Sequence, residues 1–187
     1  STHVSTPHLG VDALYIASQI VVAVQGLVTR RTSPTEPVII GIGKLNAGTT
    51  YNAVAAFAEM EGTTRTISQE SRDRVRAQVS ETAQSIAALY GGTAEIEWTD
   101  FAAALINDPQ VCREAAEVVD ELLGAGHVVT DRELSLSGDN FAEFELYKPG
   151  AYAYLGTGNP DLPHTMITNH NGGFDVDENA LVTGAGL

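Results

Sequence analysis

Apolar residues recur every four positions through Ile16, Ile20, Val24 and Val28, with Ala17, Val21 and Leu27 beside them. This spacing predicts an amphipathic helix that begins after Asp12 and closes near Arg30-Arg31, where cations suit the negative end of the helix dipole. The pattern then shortens. Val38-Ile39-Ile40-Gly41-Ile42 is a β-branched run bounded by Pro37 and by Gly43 and Gly48, as a buried strand is. Val54, Ala56, Ala58 and Met60 then alternate against Glu59 and Glu61, a period of two that predicts a half-buried antiparallel strand in mid-sheet. A second helix is predicted from an N-cap at Ser68, turning Val75, Val79, Ala83, Ile86 and Tyr90 inward until Gly91-Gly92 stops it. Thr93 to Thr99 alternates again, with Ala94, Ile96 and Trp98 on one face.

Helix, strand, strand, helix, strand is a βαββαβ unit without its first strand. This predicts an α+β fold with a split βαβ, ferredoxin-like sheet whose helices share one face. A break comes near Ile106. Asp108 and Pro109 then read as the N-cap and first position of a third helix, expected to bury Val111, Ala115, Val118, Val119, Leu122 and Leu123 before Gly124. The remainder is rich in loops: a short helix after Ser137-Gly138-Asp139-Asn140-Phe141, a short strand over Gly150–Gly156, and a final helix after Phe174-Asp175-Val176-Asp177. Residues 1–106 and 107–187 are therefore expected to be two domains, the second incomplete.

A formal charge of -14 argues against general nucleic-acid binding, which needs clustered Lys and Arg. The Arg72/Arg74/Arg76 triplet reads as a solvated helix face. No apolar run looks long enough to span a bilayer, so no membrane partner is expected. The single Cys112 excludes an intrachain disulfide, fits a reducing, cytoplasmic compartment, and reads as a small packing residue.

Local chemistry is sparse. No His-Glu-x-x-His, Cys-x-x-Cys or Gly-x-Ser-x-Gly motif occurs, and Gly41-Ile42-Gly43-Lys44 lacks the spacing of a phosphate loop. His170, in the polar loop Asn169-His170-Asn171-Gly172-Gly173, reads either as a solvated side chain or as a metal ligand.

Six ordered segments carry more: His3-Val-Ser-Thr-Pro-His8-Leu-Gly10-Val-Asp12, Gly48-Thr-Thr-Tyr-Asn52, Glu59-Met-Glu-Gly62-Thr-Thr-Arg65-Thr, Asn107-Asp-Pro109, Ser137-Gly-Asp-Asn-Phe141 and His170-Asn-Gly-Gly-Phe174-Asp-Val-Asp177. Together they resemble the zinc-dependent N-acyl-amino-acid amidohydrolases, the metallopeptidase family of aminoacylases and hippurate hydrolases. The resemblance implies a lid, or dimerisation, domain over residues 1–106 and the C-terminal part of a catalytic domain over 107–187, with the N-terminal catalytic half having no counterpart. It implies a homodimer through the lid, an N-acyl amino acid or small peptide as substrate, and zinc or another divalent metal, two per site in the intact parent. The 187 residues alone need hold none and are expected to be inactive.

By the same resemblance His3 stabilises the substrate's acyl oxygen, across the subunit interface in dimeric relatives. Asn52 binds substrate, Arg65 either recognises a substrate carboxylate or makes a structural ion pair, and His170 is a metal ligand. Three positions depart from the family pattern: Asp139-Asn140 for Glu-Asp, Ala53-Val54-Ala55-Ala56 for Val-Ile-Pro-Asp, and Gly172 for Pro. A non-catalytic dimerisation or interaction module, or a decayed enzyme fragment, is the alternative function.

Overall fold

The computed structural model describes residues 2–187. Its chain forms two units, one comprising the residues up to Ala104 together with Ser135–Asn140, the other Leu105–Leu134 with Phe141–Leu187.

In the first unit, helix α1 spans Ala13–Gly26 and continues as a π-turn over Leu27–Arg31. The Asp12 carboxylate accepts the Tyr15 N–H and satisfies one of the donors orphaned at a helix start. Strand β1 (Ile39–Ala47) pairs antiparallel with β2 (Ala58–Arg65), Ile39 opposite Arg65 and Ala47 opposite Ala58. Between Ile42 and Lys44 the register shifts, leaving Gly43 as a bulge. Opposite it the strands close tightly: a Cβ on Gly62 would lie 2.6 Å from the Gly41 carbonyl oxygen. Helix α2 (Gln69–Leu89) is capped by Ser68, whose side chain accepts the Ser71 N–H. It ends in a Schellman motif: Gly91 has φ 77°, its N–H reaches the Ala88 carbonyl, and the Gly92 N–H reaches that of Ala87.

Ile16, Ile20, Val24 and Leu27 from α1 and its π-turn, Val38 just before β1 and Ile40 within it, and Val75, Ala83 and Ala87 from α2 form one core. The 19 residues Ala13–Arg31 are long and apolar enough to cross a bilayer by length and composition, contrary to the sequence reading. Their buried line nevertheless packs on β1 and α2, and the core helix of a globular unit passes the same test.

The strands differ from expectation in extent. β1 runs on to Ala47. β2 starts at Ala58 rather than Val54 and takes in Gly62-Thr63-Thr64-Arg65, because pairing with Ile39–Ile42, and not apolar alternation, makes a strand. Val54 and Ala55 are instead buried in the connecting turn. The sheet has two strands, and among the described residues β2 is unpaired on its other edge. The strand expected over Thr93–Thr99 does not form. The segment keeps its alternation, with Ala94 and Ile96 packed on the core, but has no ladder.

What holds that segment is α2. Trp98 Nε1 donates to Ser80 Oγ at 3.1 Å, Arg76 lies 5.4 Å from the Trp98 ring centroid, and Asp100 pairs with Arg72 at 2.6 Å and with Arg76. Arg74 pairs with Glu36, whose carboxylate also accepts the Ser71 hydroxyl. These contacts, the Ser71 bond first, lower the Glu36 pKa from its ordinary value. The arginine triplet is thus a set of clamps, not a purely solvated face. Tyr90, expected inward, meets Tyr15 edge to face at the rim.

In the second unit α3 spans Pro109–Leu123, with Asp108 accepting the Gln110 and Val111 N–H groups at its start. Its apolar stripe is present, yet none of its residues is buried, and Val118 and Leu122 are exposed. The expected burial of Val111 to Leu123 is therefore not found, since no element among the described residues covers that stripe. Helices α4 (Ala142–Glu145) and α5 (Asn179–Gly186) are short. Gly150–Gly156 takes part in no ladder, so the strand expected there is absent. It is tethered by Asn107, whose side chain accepts the Tyr152 N–H and donates to the Tyr152 carbonyl, both at 2.9 Å.

Candidate functional site

His3 and Asn52 are brought together by backbone pairing. His3 forms an antiparallel bridge with Ala53, the Val4 N–H donates to the Asn52 carbonyl at 3.1 Å, and the Val54 N–H donates to the Thr2 carbonyl at 2.8 Å. The loop around Thr50–Asn52 and the segment before α1 therefore share one end of the unit.

Ser5 orients the imidazole. Its backbone N–H donates to His3 Nδ1 at 3.2 Å, and its hydroxyl lies 2.7 Å from the same nitrogen. A nitrogen that accepts an N–H carries no proton, so the neutral ring holds its proton on Nε2. The exposed ring thus presents an N–H donor. Thr50 Oγ1 donates to Asn52 Oδ1 at 3.1 Å, which fixes the amide and leaves Nδ2 without a partner among the described residues. Antiparallel pairing sets His3 and Ala53 on one face, and Asn52, one residue before Ala53, carries its amide at the same end of the unit.

Arg65 does not join them. It pairs with Ile39 at the opposite end of the hairpin from Ala58, roughly 23 Å along the strand at about 3.3 Å per residue. Its guanidinium donates to Thr63 Oγ1 and to the Thr64 carbonyl, and among the described residues it has no carboxylate partner. The structural ion pair considered from the sequence is therefore not made here.

His170 belongs to the second unit. It is exposed and is the one non-glycine residue with positive φ, 64°, among those described. The loop that carries it is tied at its base. Asn159 Nδ2 donates to Asp177 Oδ2 at 2.8 Å, and the Asp177 N–H donates to the Thr157 carbonyl at 2.9 Å. The buried Thr165 hydroxyl accepts the Asn159 N–H and donates to the Leu162 carbonyl, each at 2.8 Å. Asp177 Oδ1 also accepts from Asn179, and that backbone bond first, then the Asn159 amide, lowers the Asp177 pKa.

A lowered carboxylate contributes stability that is present above the unfolded value, about 4, and is lost as pH falls through the folded value. The Asn159 side-chain amide resonances are accordingly expected to hold steady at neutral pH and to move as the sample is acidified below the ordinary carboxylate range. An Asp177→Asn variant should show no such movement; a flat profile in the parent protein would remove Asp177 as the tie.

No group of three His, Cys, Asp or Glu side chains among the described residues could hold a metal ion. His164 lies 3.7 Å from Asp175, a pair rather than a cage. Because a catalytic metal needs about three protein ligands, this chain's own donors do not make a metal centre; His170 is a single imidazole. Ser5, Thr50 and Asp177 lay within the resembling segments and Asn159 in the Asn159-Pro160 turn, but neither they nor Thr165 stood out as positioning groups, since a polar residue becomes one only through the contact it makes.

Residues 1–91 match the model of a peptidase dimerisation domain. Over 184 residues the chain is 32% identical to thermostable carboxypeptidase 1 of Saccharolobus solfataricus, covering 98% of the chain and 46% of that protein. It is 32% identical over 180 residues to N-acetyl-L-cysteine deacetylase of Bacillus subtilis, covering 96% of the chain and 41% of that protein. The crystal structure of the Bacillus subtilis YXEP protein, a dinuclear metal-binding peptidase of the M20 family, aligns with a TM-score of 0.76 at 29% identity, covering 94% of this chain and 44% of that one. The chain thus spans less than half the length of these relatives.

Proposed function

We propose, from the match of residues 1–91 to the peptidase dimerisation-domain model and the likeness to a dinuclear metal-binding peptidase of the M20 family, that the chain is part of a metal-dependent amidohydrolase. The substrate class is an N-acyl amino acid or a small peptide, and the whole enzyme works as a homodimer, in a reducing compartment such as the cytoplasm. The observation that carries this reading is the extent of the similarity: it runs through both units to cover 98% of the chain, well past the dimerisation domain.

The chain's own residues then have distinct tasks. His3 offers its Nε2 proton to the acyl oxygen, where negative charge grows as the amide carbon becomes tetrahedral. Asn52 Nδ2 is the second donor at the same end. Arg65, with no carboxylate partner among the described residues, is the group for the substrate's own carboxylate. His170 would supply one imidazole to a zinc or other divalent metal centre, to which the described residues add no local cluster of ligands.

The test is amide hydrolysis and light scattering on the full-length protein and on the 187-residue chain in parallel. Release of free amino acid by a dimeric full-length protein, with none from the chain alone, is the expected result. A full-length protein that dimerises but cleaves no N-acyl amino acid or peptide would favour the interaction module instead.

A further inference from the structure

We infer that Asn171 is a site of spontaneous deamidation, placed beside His170. Asn171-Gly172 is the only Asn-Gly pair in the sequence. The reaction is an attack by the next residue's backbone nitrogen on the asparagine side-chain carbon, so the identity of that next residue decides its ease. Gly172 has no Cβ to obstruct that approach, and nothing lies within 4 Å of where one would stand. Both residues are exposed and lie outside any helix or strand, where the backbone can rotate toward the side chain. The Gly173 N–H donates to Asn171 Oδ1 at 2.9 Å, drawing electron density from the carbon that is attacked.

None of the other seven asparagines is followed by glycine, and four of them are held or blocked besides. Asn159 precedes Pro160, whose nitrogen carries no proton; Asn107 has both ends of its amide held by Tyr152; Asn46 lies within β1; and Asn52 precedes Ala53, which is bridged to His3.

The step balances with water as sole co-reactant. The Gly172 N–Cγ bond forms, the Cγ–Nδ2 bond breaks, and Nδ2 leaves as ammonia with the proton from the Gly172 N–H. Water then opens the succinimide at either carbonyl, giving aspartate or isoaspartate. Each product adds one negative charge next to His170, and isoaspartate also adds a methylene to the backbone of its loop.

The experiment is timed incubation of the full chain at mildly alkaline pH, with proteolysis and mass spectrometry of the 157–187 region at each time point. The expected result is loss of the Asn171 amide ahead of every other asparagine, with two products of the acid's mass, one of them a substrate for an isoaspartyl methyltransferase. Gly172→Pro removes the attacking N–H, and Asn171→Gln lengthens the side chain; both should abolish the conversion. Two results would overturn the inference: an intact Asn171 amide after a time in which the free peptide of residues 168–174 converts fully, or undiminished conversion in Gly172→Pro.

Discussion

Replacing His3 with alanine in the full-length enzyme is expected to lower kcat by roughly 10²–10³-fold, the usual loss when one oxyanion donor is removed. The expectation rests on a tautomer. Ser5 donates its backbone N–H to Nδ1, which leaves the ring proton on Nε2. A donor that meets the acyl oxygen only as charge develops there should act on kcat far more than on KM. Light scattering separates this from a folding defect, because His3 is exposed and its bridge to Ala53 is made by the backbone, so His3→Ala should remain dimeric. Unchanged kcat in that dimer would remove His3 from the reaction. Ser5→Ala is the companion variant: it keeps the backbone N–H and loses only the hydroxyl, so its effect should be much smaller.

Ile20→Ala is expected to destabilise the first unit by about 2–5 kcal/mol, the range for truncating a large aliphatic side chain in a core. Ile20 is buried in a core whose largest fully buried side chains are only the valines Val24 and Val75. The neighbouring α2 and β1 are each held at several points, so the void has little scope to close. Urea unfolding of the 187-residue chain should show a lower midpoint with an unchanged slope. Val22→Ala on the same helix, at a site 71% exposed, should stay within about 0.5 kcal/mol. Equal midpoints for the two variants would mean that α1 does not pack as described.

The helices were largely legible in the sequence, while β1 and β2 were legible in kind but not in extent, and the physical reason is the range of the interactions. Ser68 and Asp108 act as caps through contacts two or three residues away, so their meaning is local. Gly62-Thr63-Thr64-Arg65 has no apolar alternation and becomes strand only because Ile39–Ile42 lies opposite. Conversely, Thr93–Thr99 has the alternation, and it shows as burial of Ala94 and Ile96, but alternation cannot supply a partner for the backbone. The stripe on α3 was equally plain, and its exposure could not be read from its own residues.

The site divides in the same way. His3, Asn52, Arg65 and His170 stood out through a family resemblance, while composition and spacing alone left His170 between ligand and solvated residue. The distance of Arg65 from His3 and Asn52 is a property of the hairpin's length, visible only once Ile39 and Ala47 are matched to Arg65 and Ala58.

The edge of β2 that is unpaired among the described residues also acts as a filter on whatever joins the sheet. Register there is not free, because a slip of one residue would turn every side chain to the other face. Ala58 and Met60 are half-buried, while Glu59 and Glu61 face solvent. A strand entering that lane must therefore set apolar residues across from the first pair and polar or basic ones across from the second. A segment of the opposite parity would put its charges against the core and be rejected, so the hairpin reads the pattern of its neighbour before any side chain of that neighbour is specified.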